Sequence, residues 1–267
     1  MTSTTPSAGS SALAACREEG RAALIGYLPV GFPTLAGSLE AIAAIVEGGV
    51  DIVEVGVPYS DPLMDGPVIQ RATETALAAG MTVDDVFTAV AASVAAGAPA
   101  YVMSYWNLIL RRGVDRFAAD LAAAGGSGVI TPDLIPDEAS EWLEAARRHD
   151  LDPVFLVAPS STTERLSVAT AACRGFVYAA STMGVTGTRA SVGDAAADVV
   201  ARTRAVTDLP VCVGLGVSNR AQAAEVARYA DGVIVGSALV RALDAGGPSA
   251  VGRLAAELAA GVREGRG

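Results

Sequence analysis

The 267-residue chain contains no lysine, and all 19 of its basic side chains are arginine. Schiff-base and pyridoxal phosphate chemistry needs a lysine amine, and arginine cannot replace it because it stays protonated. A Walker-type phosphate loop is excluded for the same reason. Histidine occurs once, as His149 in "AARRHD", where it reads as a solvated residue at a helix C-terminus. Zinc chemistry built on clustered histidines is therefore excluded, and no metal site is expected. Cys16, Cys173 and Cys212 are odd in number, far apart and without metal-type spacing. They point to a reducing, cytoplasmic setting, with Cys212 a packing residue in an apolar strand. No apolar run approaches the ~20 residues of a membrane span. The opening "MTSTTPSAGSS" lacks the charged start and apolar core of a signal peptide, so residues 1–11 are expected to form a disordered tail. A formal charge of −10 argues against a nucleic-acid or anionic-membrane surface.

What is present is apolar and regular. Hydrophobic residues make up 51% of the chain, enough to build a large core. Short β-branched runs fall at residues 23–30, 50–57, 100–106, 128–133, 153–159, 175–181, 210–216 and 232–237. Between them lie alanine-rich segments such as "SLEAIAAIVEGG" and "NRAQAAEVARYADG", with apolar spacing of three and four and glycine often following. Eight strands each followed by a helix predict one α/β domain over residues 12–267, a closed parallel (β/α)8 TIM barrel. The rival is a doubly wound open sheet. It would want "GxGxxG" after the first strand, where "YLPVGFPT" stands instead.

In such a barrel, chemistry sits on the loops that follow the strands. The second strand runs into "EVGVPYSDPLMDGP". Strand alternation puts Ile52, Glu54 and Gly56 on one face and Val53, Val55 and Val57 on the other, and the valine face suits packing against helices. Glu54 then points into the barrel, with Gly56 above it leaving room. Two readings stand for it: a structural glutamate bonded to an arginine, or an acid–base group whose pKa burial has raised. Asp61 and Asp65 follow in the loop, although "SDP" is also ordinary turn chemistry. Strands seven and eight run into "GLGVS" and "VGSALVRALD", where glycines and a helix starting at Ser237 suit an anion such as phosphate. Strand six opens into the small-residue stretch 181–193, either a plain connection or a mobile lid. Tyr178 reads either as a core tyrosine or as a group facing the interior beside Glu54. Tyr27, Met103 and Tyr105, if inward, form an apolar, aromatic pocket.

These motifs together resemble the tryptophan synthase alpha subunit family. "EVGVPYSDPLMDGP", "GFVYAASTMGVTG", "VGLGVS" and "VGSALV" are similar to its catalytic, sixth-loop and phosphate-binding segments, and "LPVGFP", "MSYWN" and "PDLIPDEA" fit in order and spacing. The resemblance runs from about Arg21 to Val240. Trp106 and Leu108 depart from the pattern near the pocket wall. It implies a lyase of aromatic amino-acid biosynthesis that cleaves indole-3-glycerol phosphate to indole and glyceraldehyde 3-phosphate, with no cofactor. It implies Glu54 as the principal acid–base residue and Asp65 as the aspartate facing the indole N–H. Tyr178 matches a pocket tyrosine near the reacting centre. Gly187, Leu215, Gly216, Gly236 and Ser237 match phosphate-binding positions. Tyr27, Met103, Tyr105, Ile130, Leu156 and Thr186 fall around the indole pocket or lid. A pyridoxal phosphate-dependent beta subunit is the implied partner, in an alpha2-beta2 heterotetramer. A free-standing indole-producing lyase and a noncatalytic activator of a partner are the alternatives.

Overall fold

A computed structural model describes residues 5–180, 189–214 and 216–265, and the side chains of all of these except 189–193. The chain opens with helix α1 (Ala8–Glu18), then alternates strand and helix. The first half runs β1 (Ala23–Pro29), α2 (Leu35–Glu47), β2 (Ile52–Gly56), α3 (Pro67–Ala78), α4 (Val83–Ala96), β3 (Ala100–Met103), α5 (Trp106–Arg112), α6 (Val114–Ala123) and β4 (Gly128–Thr131). The second half runs α7 (Ser140–Arg148), β5 (Asp152–Val157), α8 (Thr163–Ala172), β6 (Val177–Ala180), α9 (Arg189–Arg204), β7 (Val211–Gly214), α10 (Arg220–Ala227), β8 (Gly232–Val235) and α11 (Ser237–Glu264).

All neighbouring strands pair in parallel, and β8 returns to β1 through Ala23↔Gly232 and Ile25↔Ile234, which closes the barrel. The open-sheet alternative is thereby excluded. Period-two alternation sorts the side chains as the sequence predicts. Val53 and Val55 join the layer between strands and helices, while Ile52 joins an interior cluster with Ile25, Ile130, Val154, Phe176 and Ile234. This cluster fills the barrel's middle as a packed core, so shortening one of its isoleucines to alanine costs roughly 2–5 kcal/mol. Helix α11 breaks at Gly246 and Gly247, just before Pro248, and the arm after the break packs against both α2 and α10. Among the described residues no single helix is long and apolar enough to cross a membrane.

Two local expectations fail. The stretch assigned to a tail, residues 1–11, is ordered from Ser7 onward. Ser7 caps α1 by accepting the Ser10 N–H at 3.0 Å, and Leu13 and Cys16 are buried. The Ser7 hydroxyl also donates to Asp152, 145 residues away, a partner that no local pattern announces. The apolar run 100–106 stops being a strand at Met103. Helix α5 starts at Trp106 because the Asp133 carboxylate accepts the Trp106 N–H at 2.9 Å, supplying a cap from the neighbouring β4 loop. His149 does end α7, with Nε2 3.0 Å from Asp115 Oδ1.

Candidate active site

At the C-terminal ends of the strands the interior opens into a cavity of about 190 Å³. Glu54 reaches it from β2, where the register sets it beside Tyr27 of β1 and Tyr101 of β3. The residue is 1% exposed, and Oε2 has no hydrogen-bond partner among the described residues. No ion pair among the described residues includes Glu54, so the arginine-bonded reading has no arginine there. Burial pushes its carboxyl up to about 8, and the negative charge of Asp65 adds to the effect. The group is a neutral acid at pH 7.

Asp65 lines the same cavity from the segment between β2 and α3. Burial raises its carboxyl to about 6, against the opposing hydrogen bond from Tyr105. The two acids therefore separate: near neutrality Asp65 is mostly ionised and Glu54 mostly protonated. Asp61, by contrast, is exposed, and its carboxylate accepts the Ser60 hydroxyl at 2.6 Å, the turn role its sequence allowed.

Two tyrosines wall the acids. Tyr27 and Tyr178 are held neutral, their pKa values driven up chiefly by burial and further by the nearby carboxylates. Each ring depends on a glycine in the adjacent strand. A Cβ on Gly56 would lie 2.4 Å from the Tyr27 hydroxyl, and one on Gly214 would lie 2.5 Å from the Tyr178 hydroxyl. The space above Glu54 that Gly56 was expected to leave is therefore occupied by the Tyr27 ring.

Met103 and Leu156 supply apolar wall, and Gly216, Gly236 and Ser237 line the opposite side. Gly216 has φ +71°, a conformation in which any other residue is strained. Gly236 is the N-cap of α11 and carries no side-chain cap, so the first amides of that helix, at Ser237 and beyond, open beside the cavity. Unpaired helix N-terminal N–H groups favour an anion.

Two expected pocket residues stand elsewhere. Ile130, paired in register with Met103, is fully buried in the interior cluster and does not line the cavity. Tyr105 does not line the cavity; its hydroxyl accepts the N–H groups of Leu63 and Met64 at 3.1 and 3.0 Å. Thr186, Gly187 and Leu215, and the stretch 181–188, lie outside the described residues. Sequence reasoning missed Met64, Ile69, Gly214, Ala180 and Ile234 as lining. Alternation on β6 and β8 could have found the last two, since Ala180 follows Tyr178 and Ile234 precedes Gly236 by two. Among the described residues no group of three or more His, Cys, Asp or Glu side chains could hold a metal ion.

A profile of the family described as tryptophan synthase alpha chain matches residues 13–261. The chain is 66% identical to the tryptophan synthase alpha chain of Mycobacterium marinum over 93% of its length and 92% of the relative. It is 64% identical to the alpha chain of Mycobacterium tuberculosis over 94% of its length and 92% of the relative. A crystal structure of M. tuberculosis tryptophan synthase superposes with a TM-score of 0.92 at 60% identity, covering 97% of this chain and 99% of that one. The alpha subunit from Legionella pneumophila superposes with a TM-score of 0.88 at only 29% identity, over 97% and 99%.

Proposed function

The chain belongs to the tryptophan synthase alpha chain family, and on that premise we propose that Glu54 and Asp65 divide the work of its reaction. The family's activity is a lyase step of tryptophan biosynthesis, the cleavage of indole-3-glycerol phosphate. The reaction breaks the bond between indole C3 and the hydroxyl-bearing carbon of the side chain. Neutral Glu54 gives its proton to C3, which leaves positive charge on the indole nitrogen. Ionised Asp65 faces that nitrogen and stabilises the charge. The Glu54 carboxylate then takes the side-chain hydroxyl proton as the oxygen becomes the aldehyde of glyceraldehyde 3-phosphate. The electrons of the broken bond restore the aromatic ring, indole leaves, and Glu54 is again an acid. General acid–base help of this kind contributes about 10²–10⁴-fold.

The observation that carries this reading is the buried Glu54 carboxyl, with Oε2 unpartnered among the described residues, beside a second acid of lower pKa. The phosphate is assigned to Gly216, Gly236 and Ser237 with Gly187 and Leu215, and the indole ring to the wall of Met103 and Leu156, with Tyr27 and Tyr178 beside the reacting atoms; Thr186 is assigned to the substrate by the family resemblance alone. The reaction takes place in the cytoplasm without a cofactor.

Family membership implies a beta-subunit partner, and we assign it pyridoxal phosphate chemistry that this lysine-free chain cannot perform. An alpha2-beta2 assembly would pass indole between the two sites. In support, Leu63 (77% exposed), Leu110 and Ile135 present apolar surface on the segments after β2, β3 and β4, the same rim as the acids. The test is indole release from indole-3-glycerol phosphate by the purified chain, with and without a beta subunit. Release that rises on adding the partner supports the subunit reading. Full activity alone identifies a free-standing lyase, and none in either case identifies a noncatalytic activator.

A further inference from the structure

Asp65 stands on a segment that belongs to neither β2 nor α3, yet a charge opposite a reacting nitrogen must be held in place to be useful. What holds it comes from elsewhere in the chain. The Tyr105 phenol oxygen accepts the Leu63 N–H at 3.1 Å and the Met64 N–H at 3.0 Å. A phenol oxygen has two acceptor sites, so both are taken and only its own proton remains to be given. The Tyr105 hydroxyl lowers the Asp65 pKa, the effect of a donor turned toward its carboxylate. On the other side, Gln70 Nε2 donates to the Asp65 carbonyl oxygen at 2.8 Å. Tyr105 is itself fixed: it is 5% exposed, its ring centroid is 5.1 Å from that of Tyr59, and the next residue is tied to Asp133.

We propose that Tyr105 and Gln70 are positioning residues that clamp the Asp65 segment, Tyr105 through its hydrogen bonds to the two residues before Asp65 and Gln70 through the Asp65 carbonyl. The proposal rests on the reading of Asp65 as the charge facing the indole nitrogen. It gives Tyr105 a role other than pocket wall. It also explains why a tyrosine sits there: phenylalanine would fill the same volume and leave two backbone donors and the carboxylate without their partner.

The test is a double-mutant cycle on the full chain, reading kcat, KM and the pH profile of indole release. Tyr105→Phe is expected to lower kcat about tenfold with a smaller change in KM. It should also move the acid limb of the profile above the wild-type value of about 6, since the lost bond favoured the ionised carboxylate. In an Asp65→Asn background the same substitution should add little further loss. Gln70→Met, which leaves the phenol untouched, should show a loss of a few-fold that likewise disappears in that background. Equal losses in both backgrounds, or an unmoved acid limb in Tyr105→Phe, would overturn the clamp. If Tyr105→Phe fails to fold, the Gln70→Met cycle decides alone. Asp65→Asn turning over like wild type would overturn the reading of Asp65 itself, an outcome distinct from failure of the clamp.

Discussion

Two carboxylates are sealed inside this barrel, at opposite ends, and their surroundings are inverse. Asp152, at the start of β5, is fully buried and surrounded by donors. Tyr101 donates to it at 2.8 Å, Arg174 Nε at 2.6 Å, and the Ser10 hydroxyl at 3.3 Å, with Ser7 closer still. Glu54, midway along β2 and facing the cavity at the strands' C-terminal ends, is equally buried and keeps an oxygen with no partner among the described residues. A satisfied carboxylate joins α1, β3, β5 and the β6 approach, and so belongs to stability. An unsatisfied one is held at a cost, and the cost appears as a pKa near 8. Burial alone does not separate a catalytic acid from a structural one. The count of donors does.

The comparison breaks most decisively at Glu54. Glutamine keeps the shape but cannot give or take a proton, so Glu54→Gln should lose at least ~10²-fold in kcat while still binding substrate. Its folding should not suffer. The native pKa is raised above the unfolded value, so wild type is most favoured below about pH 4.5 and loses that advantage as pH rises through about 8. Glu54→Gln should therefore melt at or above the wild-type temperature at pH 8–9, with the difference fading in acid. Thermal unfolding across that range checks it. A variant with near-normal turnover and a lowered melting temperature would reverse the assignment.

Asp152→Asn should show the opposite pattern. It replaces an acceptor with a partial donor facing Arg174, and breaking a buried pair usually costs about 3–5 kcal/mol. Arg174 is 30% exposed and keeps Asp150, so roughly 2–3 kcal/mol is expected here. Denaturant unfolding measures the loss, and kcat per folded molecule should not change. Lost turnover in a folded Asp152→Asn protein would erase the distinction between the two ends.

Gly236→Asp sharpens the upper end. Aspartate is a good N-cap, so the fold should hold, although the new Cβ lies 3.2 Å from Tyr27 Cδ1 and the ring must yield slightly. The carboxylate would occupy the uncapped amides to which we assign the phosphate, raising KM about tenfold or more. An unchanged KM would move the anion site elsewhere. The smallest effect is a pair of limbs in kcat/KM for wild type. Activity should rise through about pH 6 as Asp65 ionises and fall through about pH 8 as Glu54 does. A flat profile between pH 5 and 9 would detach both groups from the chemistry.

Strand alternation is a property of adjacent residues, which is why the sequence alone places Glu54 inside the barrel and Val53 and Val55 outside it. The same holds for eight repeats of strand and helix, for the acids that follow β2, and for the chemistry that a chain without lysine cannot do. Partners across the barrel are another matter. That the Tyr27 ring fills the space beside Gly56, that Ser7 orders a supposed tail by reaching Asp152, and that Tyr105 serves Leu63 and Met64 instead of the pocket are decided by tertiary contacts. Those contacts span up to 145 residues of chain. Periodicity records which face a residue takes, because that is set by its own backbone. Which atom meets it there is set by closing the barrel, and closure is a property of all eight strands together.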